Sequence, residues 1–451
     1  MQSAKELVLR CLSVCTEAEP APAPAPYPAL APALAPYPAL APALAPYPAL
    51  APALAPATSD GLQAFFLGLN KRLADDDDAG RSGNLVTSPL SVYAALSLVA
   101  AGAREGTLDE LLRVLGAPSR DFLAGHVRAL AEHVLADGSR TGGPRVSFAC
   151  GVWHDSTTLL RPAYRTAAAE SYKAVARSAN FRQEPEEARE QINAWVAAAT
   201  NDLIPSILSP GALSSCTVLV LANAIYFKGK WEKPFDKELT EDGKFHRLDG
   251  TAVDAPLMRG LGRHSIACHD GFKVLQLRYV QGRSSPGQPQ PPPIYSMCVF
   301  LPNARDGLWG LTDKIARDPG FLRKHLPCDD VLVGDFRLPK FKVSFGVTMK
   351  GILQDMGLKE AFELGKADLS DMVEDGAGKL ALHKIVHRAV IEVNEEGTEA
   401  AAATVATMIL CSYSVRPRVD FTADHPFAFF VIEEVSGATL FAGHVLDPTT
   451  N

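Results

Sequence analysis

Glu392 to Ser412 reads EVNEEGTEAAAATVATMILCS, and the fold turns on how this stretch is read. From Thr398 onward it holds neither proline nor glycine and carries one charge, at Glu399. Alternate residues of an extended chain face opposite ways. Thr398, Ala400, Ala402, Thr404, Ala406 and Met408 would therefore share one face, with Glu399 on the other. The first face is small enough to slip between strands already in place. Upstream, Ile385 to Asn394 (IVHRAVIEVN) predicts a strand from its β-branched content, and downstream Phe421 to Glu433 (FTADHPFAFFVIE) predicts another. A spare strand lies between two committed ones.

Further from this stretch the pattern is mixed. Gly61 to Ala74 has helical spacing and runs into Asp75 to Asp78, a solvated turn with no Glu at the spacing of a calcium loop. Ser91 to Gly102 predicts an apolar helix, and Thr107 to Leu115 (TLDELLRVL) one opened by a Thr-x-x-Glu capping box. Glu184 to Ile204 predicts a long helix whose acidic start suits its positive end. Val218 to Phe227, Phe272 to Tyr279, Tyr295 to Leu301 and Val331 to Phe336 predict strands, and Gly282 to Pro293 (GRSSPGQPQPPP) a flexible surface loop.

With 47% hydrophobic residues in 451, the chain has ample material for a sizeable core. From Ser59 on, no linker-like composition separates domains. A net charge of −7 argues against nucleic acid as the main partner. Eight cysteines, at 11, 15, 150, 216, 268, 298, 328 and 411, are scattered rather than spaced as a disulfide framework, which suits reduced thiols. The apolar run at the N-terminus is broken by Arg10, no later run reaches membrane-spanning length, and there is no Asn-x-Ser/Thr acceptor. A cytoplasmic protein without membrane contact is expected, with extracellular or vacuolar destinations left open.

Residues 20–57 repeat the decapeptide APYPALAPAL, with Tyr27, Tyr37 and Tyr47 in register. Proline at nearly every second or third position predicts a solvated, polyproline-like segment. The expected organisation is a disordered extension, 1–58, and one domain, 59–451. The repeat reads either as a spacer or groove ligand, or as a low-complexity expansion.

Motifs of catalysis are missing: there is no GxSxG elbow, HExxH helix or Walker loop. His383 and His387 are four apart, but the run from Ile385 is a strand, so a packed His387 is expected rather than a metal ligand. Cys11 and Cys15 have no further ligands beside them. No enzyme activity, metal or cofactor is expected.

EEGTEAAAAT at 395–404 resembles the hinge of inhibitory serpins, and FTADHPFAFF at 421–430 resembles that family's C-terminal signature. Further matches follow in order: NLVTSPLS at 84–91, INAWVAAATNDLI at 192–204, LVLANAIYFKGKWEKPF at 219–235 and LPKFKVSF at 338–345. DGLWGL, DPGFLRKHLP and GHVLDP resemble the plant, or Z-type, branch, and the likeness spans roughly Ser59 to Pro448.

The resemblance implies an α+β fold, with helices around three β-sheets and an exposed reactive-centre loop. It implies a monomeric protease inhibitor that acts as a suicide substrate through a covalent acyl-enzyme with its target protease. The hinge would comprise Glu395, Glu396, Gly397, Thr398, Glu399, Ala400, Ala401, Ala402 and Ala403. Ser88, Pro89, Ser91, Asn223 and His387 would form the shutter beneath the central sheet, and Trp231 the breach where the loop first inserts. Counting sixteen positions from Glu395 sets the reactive bond between Cys411 and Ser412, with Met408, Ile409 and Leu410 read by the protease. Cysteine in place of a cation removes the basis of trypsin-like recognition, so serine proteases of other preference or papain-like cysteine proteases are the expected targets. The alternative is a non-inhibitory storage, carrier or interaction protein of the same fold. It draws on Ala428 in place of a larger apolar residue, Asn201-Asp202 where a glycine is common, and the N-terminal repeat.

Overall fold

The computed structural model describes residues 59–76, 80–284, 290–374, 380–397 and 418–450. The decapeptide repeat and the segment from Thr398 to Pro417 lie outside them. The helices are α1 (Ser59–Asp75), α2 (Pro89–Ala100), α3 (Glu105–Leu115), α4 (Arg120–His133), α5 (Pro162–Tyr172), α6 (Pro185–Ala199), α7 (Leu308–Arg317), α8 (Phe321–His325) and α9 (Lys350–Asp355). The strands are β1 (Leu85–Thr87), β2 (Arg145–Asp155), β3 (Val175–Ala179), β4 (Leu219–Lys228), β5 (Glu241–His246), β6 (Ala252–Arg259), β7 (Arg263–His269), β8 (Phe272–Arg278), β9 (Tyr295–Pro302), β10 (Asp330–Pro339), β11 (Phe341–Thr348), β12 (Lys384–Val393), β13 (Val419–Thr422), β14 (Phe427–Glu433) and β15 (Thr439–Val445).

One sheet has five strands in the order β11-β12-β4-β2-β3. The other strands form two sheets that share β10. Its first residues, Asp330 to Leu332, pair with β7 of the sheet β1-β15-β14-β9-β8-β7, while Arg337 to Pro339 pair with β6, which carries β5. β13 runs parallel to β10 in this last group. The α+β, three-sheet reading is therefore borne out.

The five-stranded sheet is covered on both faces. Along β4, Leu219, Leu221, Ile225 and Phe227 join the main core with α2, whereas Val220, Ala222, Ala224 and Tyr226 pack beneath α6. Double coverage explains why this strand is apolar without alternation. Every residue of α2 is buried, so it runs through the interior; Ser88 caps it by accepting the Ser91 N–H at 3.3 Å, with Pro89 at the first position.

Three local expectations change. The capping box of α3 does not form: the helix begins at Glu105, and buried Thr107 instead accepts the Asp368 N–H at 3.0 Å. Glu110 accepts the N–H groups of Lys359 and Glu360 at 2.6 and 2.8 Å, so both side chains serve a neighbouring loop. Phe421 to Glu433 is two strands, split at Asp424-His425-Pro426, where proline cannot donate to a ladder; β13 and β14 join different sheets. Helix α6 stops at Ala199, short of Ile204, because Asn201 and Asp202 are left-handed at φ 54° and 61°.

Candidate functional site

Strands β12 and β4 are neighbours and run parallel, in register from Lys384 opposite Val220 to Val390 opposite Tyr226. Just beyond β12 the chain reverses in a tight turn. Asn394 N–H donates to the Gly397 carbonyl at 2.9 Å, and the Asn394 side-chain oxygen accepts the Glu396 N–H at 3.1 Å. Gly397 is bridged antiparallel to Asn394 on one side and to Lys230, past the end of β4, on the other. Gly397 is thus seated between the ends of the two central strands. Only glycine fits there: its φ is +140°, and a Cβ would collide with the Gly229 carbonyl.

Trp231 lines this mouth. Its backbone N–H donates to the Glu396 carbonyl at 2.8 Å and its indole N–H to the Asn394 carbonyl at 2.9 Å, while the ring stacks on Tyr279 at 4.4 Å. Phe235 N–H donates to the Glu395 carbonyl at 2.8 Å. The Glu395 carboxylate accepts from the Thr240 hydroxyl at 2.8 Å and pairs with the Lys340 ammonium at 3.1 Å. Burial pushes this carboxyl up, but its own backbone N–H, Thr240 and Lys340 together outweigh burial and hold it below its ordinary range. Glu396 is buried and pairs with Lys237, and that bond, against a smaller desolvation effect, keeps the ammonium above its usual value.

Seven residues before Asn394, about 23 Å along an extended strand, lies a buried polar cluster. Ser88 N–H donates to His387 Nε2 at 3.1 Å, and His387 Nδ1 lies 2.7 Å from Asn223 Oδ1. The same Oδ1 accepts the Ser91 hydroxyl at 2.8 Å, and Asn223 Nδ2 donates to the Ser91 carbonyl at 3.2 Å. Because Nε2 accepts, the proton sits on Nδ1, and burial pushes the ring down to about 3, so it is neutral. Asn223 faces His387 across β4 and β12, and Cys150 faces Asn223 from β2.

The structure therefore brings Ser88, Pro89, Ser91, Asn223 and His387 together at one place, and Trp231, Glu395, Glu396 and Gly397 at another. Thr398, Glu399, Ala400, Ala401, Ala402, Ala403, Met408, Ile409, Leu410, Cys411 and Ser412 lie outside the described residues. Nothing in the local sequence marks Lys237, Thr240, Tyr279 or Lys340 as partners of this site. Lys340 stands inside the quoted LPKFKVSF, but no spacing along the chain points from it to Glu395. Among the described residues no His, Cys, Asp and Glu side chains cluster so as to hold a metal, and no helix is long and apolar enough to cross a membrane.

Two departures have local outcomes. Asn and Asp, which tolerate the left-handed region best after glycine, adopt it at 201 and 202. Ala428 is buried and lines a cavity of about 40 Å³ with Phe66, Phe430 and Ala442.

Helices on both faces of a five-stranded sheet, together with two further sheets, make the fold of a serpin. Residues 60–448 match the family model described as Serpin (serine protease inhibitor), and the chain belongs to that family. It is similar to plant Z-type serpins. Putative serpin-Z5 of Oryza sativa subsp. japonica is 55% identical over 82% of this chain and 85% of its own length. Serpin-Z2A of the same organism is 53% identical over 87% and 97%. The solved structure of Arabidopsis AtSerpin1 in its native stressed conformation superposes with a TM-score of 0.79 at 39% identity, covering 87% of this chain and 99% of that one. Family and fold carry a protease-inhibitor role in general, exercised on target proteases.

Proposed function

We propose that the chain inhibits endopeptidases as a suicide substrate, with Cys411–Ser412 as the reactive bond and serine or papain-like cysteine proteases as targets. The protease nucleophile attacks the Cys411 carbonyl, the bond to the Ser412 nitrogen breaks, and that amine leaves with a proton from the catalytic histidine, leaving an acyl-enzyme. The freed loop then enters between β4 and β12 with Thr398, Ala400, Ala402, Thr404 and Ala406 on one face, dragging the protease along before water can release it. One parallel ladder is lost and two antiparallel ladders are made, so the exchange is favourable. His387, Asn223, Ser88 and Ser91 tie the same strands to α2 and re-form around the added strand. The acting unit is the monomeric domain 59–451, with 1–58 as an extension outside it and the cytoplasm as its place of work.

The observation that carries this reading is Gly397, bridged antiparallel to both flanking segments and so already first in line for the new strand. Incubation with trypsin, chymotrypsin, elastase and papain, followed by denaturing electrophoresis and mass spectrometry, tests it. An SDS-stable complex and a released peptide beginning at Ser412 are expected. Nicking between Thr398 and Ser412 should also raise the unfolding temperature, since the loop becomes a central strand. Cleavage without a complex and without stabilisation would instead favour the storage, carrier or interaction reading.

A further inference from the structure

We infer that Lys237 is a positioning residue that clamps the mouth of the five-stranded sheet shut through Glu396, and so governs how readily the central strands part. The inference rests on the strand-insertion reading above. Glu395 and Glu396 stand side by side at the point where a new strand would enter. Thr240 and Lys340 serve the first carboxylate, and Lys237 the second. Glu396 is held on every other side as well: its N–H by Asn394, its carbonyl by Trp231.

The geometry makes Lys237 a tie between two moving parts. It belongs to the segment that follows β4, in a short turn opened by Asp236, whose side chain accepts the Glu238 N–H at 3.0 Å. Glu396 belongs to the segment that follows β12. The ion pair therefore spans the two parallel strands at the end where they must separate. The Lys237 side chain is 56% exposed and that of Glu396 10%, so the cation can leave to water while the carboxylate cannot. One Glu396 oxygen already lacks a partner among the described residues. Without Lys237 the other would lose its cation too, and a buried, unpaired carboxylate would lie beside that of Glu395. Relief comes by opening the mouth.

The test uses the full chain and a synthetic peptide of the sequence Thr398 to Ile409, whose incorporation as a strand is followed by native electrophoresis without any protease. Lys237→Gln should raise the incorporation rate roughly tenfold, and Lys237→Arg should restore it. Glu396→Gln, whose amide needs no cation, should make the rate insensitive to Lys237→Gln in the double variant. Raising the salt concentration should speed incorporation more in the parent chain than in the double variant, which keeps only the Glu395–Lys340 pair at the mouth. An unchanged rate in Lys237→Gln, a gain that persists in the Glu396→Gln background, or no incorporation by any of the proteins would each overturn the clamp. If the coupling is seen but no protease is trapped, the clamp stands and the inhibitory reading falls.

Discussion

His387 on β12 and Asn223 on β4 face each other across the two parallel strands at the centre of the five-stranded sheet, with Nδ1 2.7 Å from Oδ1. The Ser88 N–H that donates to His387 Nε2 at 3.1 Å requires a neutral ring, since only an unprotonated nitrogen accepts. Burial holds the ring neutral to about pH 3, against 6.5 in an unfolded chain. Between those values unfolding takes up a proton, so stability falls as pH falls, by about 1.4 kcal/mol per pH unit. His264 and His444, each pushed down to about 4 chiefly by burial, act in the same direction. His387→Asn should therefore reduce proton uptake on unfolding at pH 5 by about one, read from the pH dependence of urea unfolding. Equal uptake in parent and variant would contradict the assigned ring state.

Gly397→Ala should lower stability by about 2 kcal/mol, because the position lies at φ +140° with the Gly229 carbonyl where a Cβ would be. Thr398→Arg, one residue on, should leave stability alone but convert inhibitor into substrate by opposing burial of the first inward side chain. Denaturant unfolding and the stoichiometry of inhibition separate the two. An unaltered stoichiometry in Thr398→Arg counts against the hinge.

Ala428→Val should stabilise the protein by about 1 kcal/mol. The space of about 40 Å³ that Ala428 lines is apolar beside Phe66 and Phe430 and open to solvent beside Lys71, so the added methyl groups are buried only in part, at up to about 0.8 kcal/mol each. A urea midpoint shifted upward is expected, and a downward shift would mean that the β-branched side chain strains β14.

Cys411→Arg should recover trypsin inhibition, since it supplies the cation that trypsin's pocket recognises and leaves Thr398 to Leu410 intact. In the parent chain trypsin should be a poor target at this bond. A variant that trypsin cleaves after the arginine without being trapped would show recognition restored and insertion failing.

Much of this was legible in the chain order. A run of small residues at 398–406 with no proline or glycine, set between Ile385–Asn394 and Phe421–Glu433, already implied a strand in reserve, because period-two alternation and β-branched content are local properties. His387 read as buried from its apolar neighbours alone. Gly397 was placed within the hinge by motif.

What the sequence could not determine are pairings made across long separations. Ser88 meets His387 over 299 positions, Thr240 meets Glu395 over 155, and Lys237 meets Glu396 over 159. Nothing near any of these residues encodes its partner, since hydrogen bonds and ion pairs depend on which strand ends the fold brings together. The capping box at Thr107 failed for the same reason: a threonine hydroxyl bonds the backbone that packing sets beside it, here Asp368 rather than its own helix. The single run Phe421–Glu433 likewise became two strands only because neighbouring sheets competed for its halves and Pro426 could not donate to either ladder. Local propensity determined which segments extend or coil; the parallel pairing of β4 with β12, and with it the seat of Gly397, was decided by tertiary structure, where burial on both faces leaves one register for each strand.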